Sequence, residues 1–389
     1  MKIKLVALLL CVSLVAGCGA ASSQMDSGSS SQAEYIPSYT YVNPDPNMVM
    51  ITSPGGDITY ENYRLYLDIS EQFGRFYSRQ EMASCVVLES DLKEMGIEIN
   101  EEDYKNMAAQ QVYSMMMYSP SYAENLQRII EITGMTQEEV SDAMLLPYRS
   151  QYLVGLLDAH YQKLAEEEVD KEDADSQSAQ AESAASSDGD EQAVQSSVQE
   201  DAQAERQQAI QEKSQQMMQD YFADYDTRIN LDDDTILATI DGKAAPFTDE
   251  MSRSLEYTAV AGRIEAVTFI QAGELALREL ENRNTEFDRT NFETTFKTYT
   301  EQLRADKMVM AQLEKICAGY DATVDDYFKA LERPLWLQEV GDLYVIAMND
   351  EYNALTVDSG EEAESVDSYV SQAFSKLLEG SEIVNITGQ

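Results

Sequence analysis

Short apolar runs with β character alternate with long stretches of helical periodicity along this chain. Residues 48–52 (MVMIT) form one such run, and 53–57 (SPGGD) read as a turn. Thr59 then stands where a helix cap is wanted, with Tyr63 and Leu67 at helical spacing behind it. A second helix is predicted over 81–95, carrying Met82, Val86, Leu88, Leu92 and Met95, with Gly96 as its stop. Asn100 caps a third, to about residue 116, which Pro120 breaks. A fourth runs to about 132 and ends near Gly134. Thr136 with Glu139 has the spacing of a capping box, opening a long helix to about 165.

Residues 166–205 interrupt the pattern. They are acidic, rich in Ser, Ala and Gln, and lack aromatic residues. They read as a disordered insertion or a partly helical arm. Helical periodicity returns from Arg206 with Met217, Met218, Tyr221 and Phe222, and 227–231 (TRINL) reads as a strand.

A similar order then recurs. Residues 236–240 (ILATI) form a β run, 241–243 a turn, and Thr248 a cap, with a helix following over 263–282. Thr290 with Glu293 predicts a second capping box, opening a helix to about Cys317, and Gly319 ends it. Residues 323–326 cap a further helix, 350–364 form a short acidic gap, 366–378 a helix and 382–387 a strand. Thr136, Val140, Met144, Pro147 and Gln151 match Thr323, Tyr327, Leu331, Pro334 and Gln338 at one constant offset. Each proline is expected to kink or restart its helix. The expectation is a mainly α protein built from two helical repeats, 48–232 and 233–389, with short strands at the repeat ends.

The N-terminus carries a different signal. Lys2 and Lys4 precede an apolar run over 5–15, then Val15-Ala16-Gly17-Cys18. The run is shorter than the about 20 residues a membrane-spanning helix needs. The order is that of a secretory signal, and it resembles the lipobox of bacterial lipoproteins, with Val15 where Leu is commoner. The resemblance implies a signal peptide over 1–17, lipidation of Cys18, and tethering at the extracytoplasmic face of the cell membrane. Residues 18–47, rich in Ser, Gly and Pro, are expected to form a flexible stalk.

Charge and composition narrow the chemistry. A formal net charge of -44 over 389 residues excludes nucleic acid as a natural partner, because phosphates would be repelled. It attracts basic polypeptides and, weakly, divalent cations. His160 is the sole histidine, so His-based metal sites have no ligands to draw on, and a hydrolytic triad would depend on this one residue inside a helical pattern. No phosphate loop, dinucleotide fingerprint or Gly-x-Ser-x-Gly elbow is present. Asp232-Asp233-Asp234 and Glu101-Glu102-Asp103 read as solvated loops and caps, not as an EF-hand or an acid–base pair. No cofactor, metal site or catalytic residue is expected. Cys85 and Cys317 suit small buried thiols, and a disulfide between them is left open.

The repeat resembles the N-terminal domain of SurA- and PrsA-type exported chaperones, also seen in the C-terminal region of trigger factor. The motifs are Met50-Ile51-Thr52 with Gly55-Gly56-Asp57-Ile58-Thr59, then Gly96-Ile97-Glu98-Ile99-Asn100-Glu101-Glu102, then Gly134-Met135-Thr136-Gln137-Glu138-Glu139. In the second copy Ile240-Asp241-Gly242 with Phe247-Thr248 matches the opening, while the Gly-Ile step before Thr290 is missing. Relatives often add a parvulin prolyl isomerase with active-site histidines. No such block is visible here, so isomerase activity is not carried over.

Tyr113, Met115, Met116, Met117, Tyr118 and Tyr122 form a Met/Tyr cluster suited to promiscuous apolar contact, and Trp336 invites the same reading; the alternative is that about half of the cluster lines the core of a helical domain. Three consecutive methionines cannot share one helix face, so some are expected to be exposed. The function expected is a non-enzymatic, lipid-anchored chaperone-like protein that holds unfolded or partly folded exported polypeptides. The alternatives are a scaffold lipoprotein with one dedicated partner and, more weakly, a prolyl isomerase relative.

Overall fold

The computed structural model describes residues 45–118, 122–183, 195–223, 225–359 and 365–387. The N-terminal signal, Cys18, most of the stalk and Pro120 lie outside the described residues.

The chain opens with a hairpin of β1 (Val49–Thr52) and β2 (Ile58–Thr59), paired antiparallel. Gly56 takes φ 112° in the turn, a conformation only glycine adopts without strain, and its N–H donates to Ser53 O at 3.0 Å. Behind a 3₁₀ turn at Tyr60–Asn62, α1 runs unbroken over Arg64–Glu94. The predicted Thr59 cap is not made: its side chain accepts no capping hydrogen bond. The predicted gap before residue 81 is also absent. Asp68, Glu71 and Arg79 interrupt the apolar spacing, yet all three are buried and paired.

Next come α2 (Glu101–Tyr118), α3 (Tyr122–Thr133) and α4 (Gln137–Leu145). The caps here follow expectation. Asn100 Oδ1 accepts from Glu102 N at 3.0 Å, and Thr136 with Glu139 completes a capping box. Pro147 sits in a 3₁₀ turn, Leu146–Tyr148, after which α5 restarts at Arg149 and continues to Ser183. α6 covers Gln195–Ala223 and packs along α5. The acidic stretch is therefore helical over 166–183 and 195–205, the second of the two readings the sequence left open. Its Ala, Gln and Glu are strong helix formers and it holds no proline. Arg206 reaches Asp170 at 2.6 Å and Lys213 reaches Glu172 at 2.6 Å across the hairpin, pairing opposite charges between the two helices.

After a 3₁₀ turn at Tyr225–Arg228, β3 (Ile229–Asn230), β4 (Ala238–Ile240) and β5 (Lys243–Ala245) form an antiparallel sheet in that order. Thr248 caps α7, Asp249–Asn282, as expected, but again one helix runs where two were predicted. The Thr290 capping box is not formed. Thr290 is the first helical residue of α8 (Thr290–Ala305), and its N–H donates to Asp288 Oδ1 at 2.9 Å. The helix expected to reach Cys317 breaks at Asp306, whose Oδ1 accepts from Val309 N and opens α9 (Lys307–Ala318). Thr323 and Asp326 cap each other at the head of α10 (Val324–Ser359). α10 runs through Pro334 without restarting and fills most of the expected acidic gap. α11 (Val366–Leu378) and β6 (Glu382–Ile383) close the chain.

Pairing in space crosses the sequence order. β6 pairs with β1, not with its own neighbours, giving a sheet β2-β1-β6; β3 pairs with β4. The stretches 48–232 and 233–389 thus share both sheets. The helices interlock in the same way: α1 and α7 pack on each other, α3 and α4 pack on α7, and α9 packs on α1. A buried ion cluster ties the two long helices together. Arg263 Nη1 lies 3.3 Å from Asp68 Oδ1 and 3.2 Å from Glu71 Oε2, with all three side chains at 1–2% exposure. Arg263 Nε also donates to Ile386 O at 2.6 Å, fastening the C-terminal segment. Gly273 lets α10 approach α7 closely, since a Cβ there would meet Leu337 Cβ at 2.7 Å. No helix among the described residues is long and apolar enough to cross a membrane.

Candidate functional site

Arg79, midway along α1, organises the loop beside an open concavity. Its buried guanidinium donates to Leu237 O at 2.7 Å, Leu231 O at 3.2 Å and Ile236 O at 2.9 Å, and to Asp233 O; it also pairs with Asp234 Oδ1 at 2.8 Å. Burial pulls its pKa below the usual arginine value, with Asp234 acting in the opposite direction. One side chain thus satisfies most of the carbonyls of the connection between β3 and β4. Local turns finish the loop: Asn230 Oδ1 accepts from Asp232 N at 2.8 Å, and Asp233 Oδ1 accepts from Thr235 N at 3.0 Å. Lys315 on α9 pairs with Asp234 at 3.2 Å and ties a third element to the loop.

Between these elements lies a groove of about 310 Å³. Phe76 and Gln80 of α1 form one wall and Ala311, Gln312 and Lys315 of α9 another; residues 229–232 line the third side. Phe76 is half-buried and packs against Tyr77, with ring centroids 5.7 Å apart. Among the described residues β3 is an edge strand, hydrogen-bonded to β4 on one side, and buried Gln80 Oε1 makes no hydrogen bond. The groove therefore combines apolar walls, an open strand edge, an unmet acceptor and charges of both signs at its rim. No Ser, Thr, Cys or His is among the residues that line it.

A second, much smaller cavity lies between α3 and α7, lined by Asn125, Leu126, Ile129, Tyr257, Ala261, Ile264 and Glu265. Asn125 Oδ1 and Glu265 Oε2 are buried there without hydrogen bonds, and burial pushes the Glu265 carboxyl up to about 8.

The candidates from the sequence distribute differently. Tyr113 is exposed on α2, at 62%. Met115, Met116, Met117 and Tyr118 fall in the last turn of α2 and Tyr122 opens α3; their side chains lie outside the described residues. None of these residues lines the groove. Trp336, a candidate for client contact, is a core residue instead. It is 7% exposed, its ring meets Phe292 at 5.2 Å and Phe287 at 5.9 Å, and Arg289 covers it at 4.8 Å. A bulky aromatic on the inner face of α10 is worth more buried than displayed. Cys85 and Cys317 are free buried thiols in separate core clusters. Burial raises the pKa of Cys85 and pushes Cys317 up to about 11, so neither is a ready nucleophile. His160 is half-buried on α5, its ring tilted against Tyr161. Among the described residues no group of His, Cys, Asp or Glu is arranged to hold a metal ion.

Sequence reasoning missed Phe76, Gln80, Gln312 and Lys315, because their meeting depends on how α9 packs on α1. Its one usable signal was the short strand predicted at 227–231. Comparison of the chain with family models, with curated proteins and with solved structures gives no match.

Proposed function

We propose that this protein is a non-enzymatic, lipid-anchored holder of unfolded or partly folded exported polypeptides, tethered through Cys18 at the extracytoplasmic face of the cell membrane. The observation that carries this is the groove between α1, β3 and α9, which offers apolar wall and hydrogen-bonding edge together. Unfolded chains present both kinds of group at once. The acidic surface favours basic clients and keeps loaded molecules apart. An internal duplication belongs to the same proposal. It is supported by the matched capping boxes at Thr136 and Thr323, and by Val140 and Met144 being buried as Tyr327 and Leu331 are.

The test uses residues 19–389, which lack the signal and the lipid site. A reduced secreted protein is diluted from denaturant with increasing amounts of this chain, and light scattering is followed. Suppression near equimolar ratio is expected. Unchanged aggregation at several-fold excess refutes holding, and a pull-down returning one stoichiometric partner favours the scaffold alternative.

A further inference from the structure

The free edge of β3 has a defined hydrogen-bonding register. Asp241 N donates to Arg228 O at 2.9 Å, and Ile229 pairs with Ile240 and Asn230 with Thr239. In an antiparallel pair, residues that bond the partner strand alternate with residues that face away. Arg228 is in a bonded pair, so Asn230 is in the next, and Ile229 and Leu231 turn their backbone groups away from β4. Leu231 O is already taken by Arg79 Nη1 at 3.2 Å. Left on the side away from β4 are therefore the N–H and carbonyl of Ile229 and the N–H of Leu231. Gln80 Oε1, buried and without a hydrogen bond, lines the same groove and needs a donor.

We propose that the groove takes an extended polypeptide segment as an added strand on the free edge of β3, with a lysine or arginine of that segment beside Asp232. Strand addition supplies affinity from main-chain bonds and is tolerant of sequence, while the walls accept alternate side chains. Phe76 and Ile229 offer contact to apolar residues. Asp232 is exposed at the mouth of the groove, and the chain as a whole is strongly anionic, so a cationic residue is the complementary occupant there. The lined edge spans residues 229–232, enough for about four residues of partner at about 3.3 Å each. So short a ladder gives weak, rapidly reversible capture.

This inference rests on the reading of the groove as a polypeptide site, and its test separates the two. The probe is a fluorescein-labelled ten-residue peptide of alternating valine and threonine with a lysine pair at one end, titrated with residues 19–389 and read by anisotropy. Two N-methylated versions carry the methyl groups on odd or on even residues. Because only alternate residues of an added strand bond the edge, one version should lose about tenfold or more in affinity and the other stay within about twofold. Equal losses from both versions, or no loss from either, overturn strand addition. Gln80→Leu, checked for intact helix content by circular dichroism, should weaken the parent peptide. An unchanged affinity overturns the assignment to this groove. The aggregation assay is independent: suppression without N-methyl discrimination removes strand addition and leaves holding, and discrimination without suppression does the reverse.

Discussion

Replacing Arg263 with methionine should be the most damaging single substitution away from the groove. Arg263 stands where α7 crosses α1, 3.3 Å from Asp68 and 3.2 Å from Glu71, and the three side chains are 1–2% exposed. Methionine keeps the aliphatic stem but removes the charge. Two buried carboxylates then lose their shared cation. Removing one partner of a buried ion pair costs about 3–5 kcal/mol. Arg75 remains 3.3 Å from Glu71, which places the loss at the lower end. The bond to Ile386 O at 2.6 Å also disappears, adding about 1 kcal/mol and loosening the segment that carries β6. A loss of about 3–4 kcal/mol is expected. At about 2.1 cal/mol/K per residue over the folded chain, that lowers Tm by about 5 °C. Urea titration followed by far-ultraviolet circular dichroism gives the free energy, and a thermal scan gives Tm. Adding Asp68→Asn and Glu71→Gln to the variant should recover most of the loss, because the cost is uncompensated charge and not lost volume. A loss below about 1 kcal/mol, or a triple variant no better than the single one, refutes the reasoning.

Gly273→Ala should destabilise although alanine is the better helix former by about 1 kcal/mol. Its Cβ would meet Leu337 Cβ at 2.7 Å and Leu337 O at 3.1 Å, and overpacking costs about 1–3 kcal/mol, read as a lower urea midpoint. Glu265 has a folded pKa of about 8, above its ordinary value of 4.5. Its contribution is therefore full below about pH 4.5 and is lost as pH rises through 8. Glu265→Gln should raise Tm relative to the parent at pH 8 and bring no gain at pH 4; an equal effect at both pH values refutes the buried carboxyl. Cys85 and Cys317 should resist a thiol reagent in native residues 19–389 and both react in guanidinium; fast native labelling of either contradicts their burial.

The helix boundaries that local chemistry controls were legible in advance. Gly96 and Gly134 end helices at φ 76° and 71°, and Asn100, Thr136, Thr248 and Thr323 cap the helices that follow them. Pro147 marks a restart because its missing N–H falls in a 3₁₀ turn, whereas Pro334 is absorbed within α10. The misreadings share one cause. Helices α1 and α7 looked broken because Asp68, Glu71, Arg79, Ser254 and Glu256 fall on buried faces. Periodicity counts such residues as exposed, since their partners sit far away in the chain. Arg79 finds its acceptors 152–158 residues on, and Ser254 Oγ donates to Ala143 O across 111 residues.

Alone, the order of residues determined a mainly α chain, the places where most helices start and stop, four of the short strands among the described residues, and the lack of a recognisable catalytic motif. Those properties depend on neighbours within a few positions, through caps, turns and side-chain spacing. Only the tertiary structure decided that β6 joins β1 and β3 joins β4, that Trp336 is core, and that Phe76, Ile229 and Gln312 surround one groove. Two- to four-residue strands carry too little pattern to specify a partner, so their pairing is imposed by the crossing of α1 and α7 and by the charges buried there.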